Sequence, residues 1–346
     1  MRKQLSIGLL CAGMLSVVGA PVVAQTAPIT AANAKDLAVV EEYADYVWLD
    51  FSSDGDSIAM QGDKLAVLDR ASGELRVLVD EVVGQNYVTA MSPDARYILY
   101  VTDNDEGASV SRVWDAEAGE VAADLQSAGA GAVFVPDSAQ LIVAGTELYG
   151  MDVSTGDPLE LGIESRSTSE VIDLMPDGST LVTSSNGHVV FDSTESGEEI
   201  KTWDYSAEFD GAIHTPNVTG VSVSPDGAVV VVGIMSSNHP ELNAIHVMDF
   251  ANDEPLRVIP YELIGETPAL REVALSPDGS LVVAAFQEDL LRGGHLDAFD
   301  VGSGELIGRI PVQGAAQRIG FSPDGTLLAV GTTRRSGLKI YALGEG

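Results

Sequence analysis

Three of the five histidines in this 346-residue chain, His214, His239 and His295, fall in or beside long segments between regular repeats. Imidazoles at such places suit ligand orientation, metal binding or proton exchange near neutral pH. No two of the three have His-x-His or His-x-x-x-His spacing, the arrangement that gives zinc a ready pair. A shared site would need three separate loops to converge. The same segments carry Tyr205, Phe209, Tyr261, Arg271 and Arg292, and the last loop of the chain carries Arg334 and Arg335. Arg292 with Arg334-Arg335 would form a cationic spot suited to a carboxylate or phosphate. These ten residues are the candidate binding residues. No catalytic residue can be named, because no Gly-x-Ser-x-Gly elbow occurs and the single cysteine, Cys11, lies in the apolar N-terminal run. Asp103-Asn104-Asp105-Glu106 is acidic like a calcium loop but fails the EF-hand spacing, and reads as a solvated loop. Gly129-Ala130-Gly131 is followed by no helical pattern, so it is not a dinucleotide fingerprint. No cofactor and no metal are expected.

What must position these residues is a repeat. Pro-Asp-Gly or a near copy comes round seven times, with its Asp at 54, 94, 137, 177, 226, 278 and 324. The steps run from 40 to 52 residues, the range of a propeller with several short strands per unit. Pro pre-sets the second position of a type I turn, Asp bonds nearby backbone N–H groups, and Gly takes the left-handed position. Ala95 and Ser138 replace the Gly and Ser53 replaces the Pro, so strain or local remodelling is expected at these three turns. A second signature follows in phase: Asp, a few residues, Gly, then an acid, as in Asp69…Gly73-Glu74 and Asp300…Gly304-Glu305. In Asp249…Asp253-Glu254 an Asp stands where Gly is expected.

Each repeat reads as four strands, a to d. In the sixth, strand a is Glu272–Leu275, b Leu281–Ala285, c His295–Phe299 and d Glu305–Ile310. Strand b is continuously apolar, as a strand covered on both faces should be. Strand d mixes charge with apolar residues, which suits an outer position. The seventh repeat lacks a strand d, and the apolar segment Leu37–Tyr43 precedes the first strand a. That segment is expected to complete the last blade and close the ring without an open edge.

Residues 1–24 read as a secretory signal peptide: Arg2-Lys3, then an apolar run, then Val22-Val23-Ala24 at the cleavage site. Residues 25–36 read as a flexible leader and 37–346 as the propeller. The formal charge of −34 becomes more negative still once Arg2 and Lys3 are removed. Such a field repels nucleic acid and anionic lipid, so neither is an expected partner, and no membrane insertion is expected after cleavage. The expected product is a monomeric disc in the periplasm or outside the cell.

The hydrophobic-Ser-Pro-Asp-Gly-hydrophobic hairpin together with the Asp-x-x-x-Gly-Glu turn resembles the bacterial WD-repeat-like, YVTN (quinoprotein-like) propellers. The resemblance covers residues 37–346, and Trp114-Asp115 matches the WD dipeptide itself. It implies an all-β, seven-bladed β-propeller of four-stranded antiparallel blades, mostly in recognition or scaffolding roles. Lactonase-like hydrolases and cofactor-dependent dehydrogenases are minorities within it.

In such blades the a–b and c–d turns share one face of the disc, and the b–c and d–a loops share the other. The long segments, among them 204–219, 236–242, 260–271 and 287–294, all belong to the second face. Loops longer than their scaffold requires often carry function. The first functional reading is recognition of a protein or other macromolecule on that face. The alternatives are a periplasmic enzyme, with His214, His239 and Arg292 around one pocket, and a small-ligand or cation-binding module.

Overall fold

The computed structural model describes residues 27–83, 90–104, 106–125, 131–144, 148–163, 172–185, 187–289, 293–332 and 337–344. The expected signal peptide lies outside them. Seven four-stranded antiparallel sheets follow one another in chain order. Their innermost strands are Tyr46–Phe51, Ala90–Met91, Gly131–Phe134, Ile172–Leu174, Asn217–Val223, Ala269–Leu275 and Ala316–Phe321. Blades are numbered 1 to 7 in this order. No α-helix occurs among the described residues. An eighth, two-stranded sheet pairs Ala207–Phe209 with Ala212–His214 between blades 4 and 5.

Blade 7 is completed by Leu37–Tyr43, which pairs antiparallel with Leu338–Leu343 from Leu37 opposite Leu343 to Tyr43 opposite Leu338. The ring therefore has no open seam at its ends. Further ties cross the closure. Lys339 meets Glu42 at 3.1 Å, and the Gly344 N–H donates to the Asp36 carbonyl at 2.9 Å. Arg70 of blade 1 reaches Asp324 and Thr326 of blade 7. The stretch read as a leader is packed over its described part. Ile29 is 1 % exposed in the cluster shared by blades 6 and 7, and its N–H donates to the Gly325 carbonyl at 2.8 Å.

The second strand of blade 6, Leu281–Asp289, shows why these strands are apolar throughout. Leu281, Val283 and Ala285 pack toward blade 7, while Val282, Ala284 and Phe286 pack toward blade 5. Each fully buried Val or Leu contributes about 1.5–3 kcal/mol, and a polar residue on either face would leave a gap in one core or the other.

The repeated turn is a small bonding device. Ser276 Oγ donates to Asp278 Oδ1 and accepts the Leu281 N–H, and the same pair of bonds recurs from Ser52, Ser92, Ser224 and Ser322. The three irregular turns solve their problem differently. Ala95 keeps the turn and takes the left-handed conformation, φ 58°, without the glycine that favours it. In blade 3 the positive φ moves to Asp137, and Ser138 bonds the Val135 carbonyl through its side chain. Ser53 shows no strain. Lacking the proline ring, it gives its free N–H to the Pro93 carbonyl of the next blade at 3.3 Å.

Candidate functional site

The hub of the disc is a channel of about 650 Å³ lined by the innermost strands. Sheet alternation alone would send only every second residue of these strands into it. A bulge recurs near their starts, between Val218 and Gly220, Leu270 and Glu272, and Ala316 and Arg318. An extra residue in one strand re-aims its neighbours. At these positions adjacent residues line the channel together, Thr219 with Gly220, Arg271 with Glu272 and Gln317 with Arg318, as Gly131 to Phe134 do without a bulge.

Asp50, Asp173 and Glu272 face this space around Arg318, which pulls on all three carboxylates electrostatically. They also hold backbone. Asp50 accepts the Met91 N–H of blade 2 at 2.9 Å, and Glu272 accepts the Ile319 N–H of blade 7 at 2.8 Å. Ser222 does the same for the Leu275 N–H of blade 6 at 3.1 Å. Asp173 accepts the N–H of its neighbour Leu174 at 2.8 Å. Burial pushes Asp50 above the usual carboxylate range, Asp173 up to about 6 and Glu272 up to about 7, with Arg318 acting against the rise. The sequence offered a signal for these residues. Asp50 and Asp173 each stand four positions before a turn Asp, and Glu272 and Arg318 each stand six before one. Only for Glu272 and Arg318 does a neighbouring bulge obscure the pattern; Asp50 and Asp173 lie in regular register.

Three of the ten candidate residues come together on the loop face. The Phe209 and His239 rings stack at 4.5 Å with an 11° tilt, and His214 lies against His239 at 3.8 Å. Phe209 and His214 belong to the two-stranded hairpin, which pairs Ala207 with His214 and Glu208 with Ile213. Cross-strand partners share a face. The Ala207, Phe209 and His214 side thus meets blade 5's loop, while Glu208 and Ile213 form the outer side. His239 Nδ1 is 3.2 Å from Glu241.

The other candidates are placed elsewhere. The Tyr205 ring packs on His246 at 4.8 Å, and burial pushes its hydroxyl up and the His246 imidazole down to about 4. Tyr261 donates to the Ile234 carbonyl at 2.7 Å and packs on Phe286. Both tyrosines are core. Arg271 lies in the channel and donates to Gln287 Oε1 through Nε at 3.1 Å. His295 is 3 % exposed. It is held between Glu288 (2.7 Å) and Asp297 (3.6 Å), and Asp297 accepts from Arg309 Nε and Nη2, each at 2.7 Å. His295 thus belongs to a different cluster from His214 and His239. Arg292, Arg334 and Arg335 lie outside the described residues. Among the described residues no three His, Cys, Asp or Glu side chains come together in a group able to hold a metal ion. Asn104 Oδ1 accepts the Glu106 and Ala108 N–H groups, so that acidic loop is closed by its own asparagine.

No protein-family model matches this chain, and no curated protein matches it. Solved structures do. The β-propeller domain of Myceliophteria thermophila Cps50 (Swd1) superposes with a TM-score of 0.63 at 15 % identity, over 89 % of this chain and 100 % of that one. Kuenenia stuttgartiensis hydrazine synthase superposes with a TM-score of 0.63 at 15 % identity, over 87 % and 96 %. At this identity the likeness speaks for the fold. The chain is a seven-bladed β-propeller.

Proposed function

We propose that this propeller is an exported recognition scaffold of the WD-repeat-like type, which binds a protein partner on its b–c and d–a loop face. The observation that carries the reading is the asymmetry between the two faces. One face is a ring of tight, internally bonded turns. The other raises a hairpin whose outward Ile213 is 76 % exposed. An isolated two-stranded sheet is marginal in water, and a solvent-facing isoleucine on it has no structural purpose in the blades. The channel supports the same reading. Asp50 and Glu272 hold neighbouring blades together through backbone bonds, a rigidity that lets recognition avoid much ordering cost.

The test is site-specific photo-crosslinking. A photoreactive residue at position 213 or 264 should capture a discrete partner from an extract of the source cells. The same residue at position 74 or 120, on the opposite face, should not. Capture from 74 and 120 alone would overturn the reading.

A further inference from the structure

The loop face over blades 4 to 6 is one continuous ridge. Phe209 of the hairpin stacks on His239. The loop bearing His239 continues to Asn243, whose carbonyl accepts the Tyr261 N–H at 3.3 Å. The loop bearing Tyr261 continues to Glu266, whose N–H donates to the Glu288 carbonyl at 3.0 Å. Two apolar side chains stand on this ridge uncovered, Ile213 at 76 % and Ile264 at 46 % exposure. Around them stand the exposed acids Glu208, Asp210, Glu241, Glu262 and Glu266. Segments 205–219, 236–243 and 260–270 contain no lysine or arginine; Arg271, which follows, lies in the channel, and Arg292 of the adjoining loop lies outside the described residues. Glu208 lies directly across the hairpin from Ile213, so charge and apolar surface share one face.

We infer that this ridge docks a lysine- or arginine-rich peptide segment that also carries apolar side chains. The inference rests on the recognition reading above and names the chemistry of the partner. An acidic rim around exposed isoleucines repels acidic segments and steers cationic ones. The isoleucines supply contact area that ion pairs at an exposed surface do not, since such pairs contribute little each. Among the described residues the hairpin's edges pair with no other strand, which leaves backbone N–H and C=O groups for an extended segment to meet.

General acidity would also attract a cationic peptide, so the test separates the ridge from the net charge. The probe is a fluorescein-labelled alternating Lys-Leu peptide, followed by anisotropy at physiological salt, where charges beyond about 8 Å are largely screened. The triple variant E208Q/E262Q/E266Q and the single variant Ile213→Ser should each weaken binding about tenfold, the equivalent of roughly 1.4 kcal/mol. The charge-matched variant E74Q/E120Q/E198Q, on the opposite face, should bind like the parent. Equal weakening by both triple variants, or by neither, overturns the inference. Sedimentation of the unlabelled protein covers the competing occupant: self-association that Ile213→Ser abolishes would make the ridge a contact between two copies and equally overturn it. Crosslinks from position 213 without peptide binding would leave the recognition face standing and remove only its cationic partner.

Discussion

Asp253 shows how a broken rule in the sequence becomes a contact. It stands where the c–d turn calls for glycine, and it adopts the left-handed φ of 57° that glycine would take. Its carboxylate reaches across to blade 4, accepting from Lys201 Nζ at 2.6 Å and Trp203 Nε1 at 3.0 Å. Those two bonds hold its carboxyl below the usual range, Lys201 contributing most. The ammonium also lies 4.2 Å from the centre of the Phe250 ring. The side chain thus offsets the backbone strain with a tie between blades. Asp253→Ala keeps the strain and removes the tie, and should destabilise the protein by about 1–2 kcal/mol. Asp253→Gly relieves the strain and should lose less. Urea denaturation checks both, and an alanine variant as stable as the parent would refute this explanation. The departure from glycine was visible in the sequence. What it bonded to was not, because Lys201 lies some fifty positions away.

At the scale of elements, legibility followed local chemistry. The Ser-Pro-Asp-Gly hairpins, the apolar second strands and the pairing of Leu37–Tyr43 with the C-terminal strand were all readable, because each is set by turn residues or by a run of apolar side chains. The bulges at Thr219, Arg271 and Gln317 were not, since nothing in those residue types announces an extra position in a strand. Two of the channel charges, Glu272 and Arg318, directly follow such a bulge. The hairpin at 207–214 was likewise read only as a long loop. Its signal was the left-handed pair Asp210-Gly211, at φ 52° and 79°, the Asp-Gly turn that joins two short strands. Among the ten candidate residues, loop length drew attention to one face and could not separate outward side chains from inward ones. Tyr205 and Tyr261 turned into the core, while the exposed Ile213 and Ile264 passed unnoticed as ordinary apolar positions.

Over the whole molecule, two sets of carboxylates give stability opposite dependences on pH. The turn aspartates, such as Asp54, Asp177 and Asp226, are held below their ordinary range by serine hydroxyls and backbone N–H groups. Their contribution is present above about pH 4 and is lost as pH falls through the lowered values. The hub carboxylates act the other way. Glu272 rises from 4.5 to about 7 and Asp173 from 3.8 to about 6, chiefly through burial. The folded state then holds protons that the unfolded chain releases, so stability falls as pH rises through 6 and 7. The net charge of −34 adds self-repulsion in the same direction. The melting temperature should therefore peak in mildly acidic buffer and decline toward pH 8. Glu272→Gln keeps an acceptor for the Ile319 N–H and removes the buried charge. It should stabilise the protein by about 1–3 kcal/mol at pH 8 and leave it unchanged near pH 5. An unaltered slope between pH 6 and 8 would show that the hub does not set it.

Under the proposed function, the loop side of the disc recognises the partner and the turn side does not. Hydrogen exchange on the complex with a crosslinked partner tests this most directly. Protection should appear at 207–214, 236–243 and 261–266 and leave the a–b and c–d turns exchanging as in the free protein. Protection confined to those turns would contradict it.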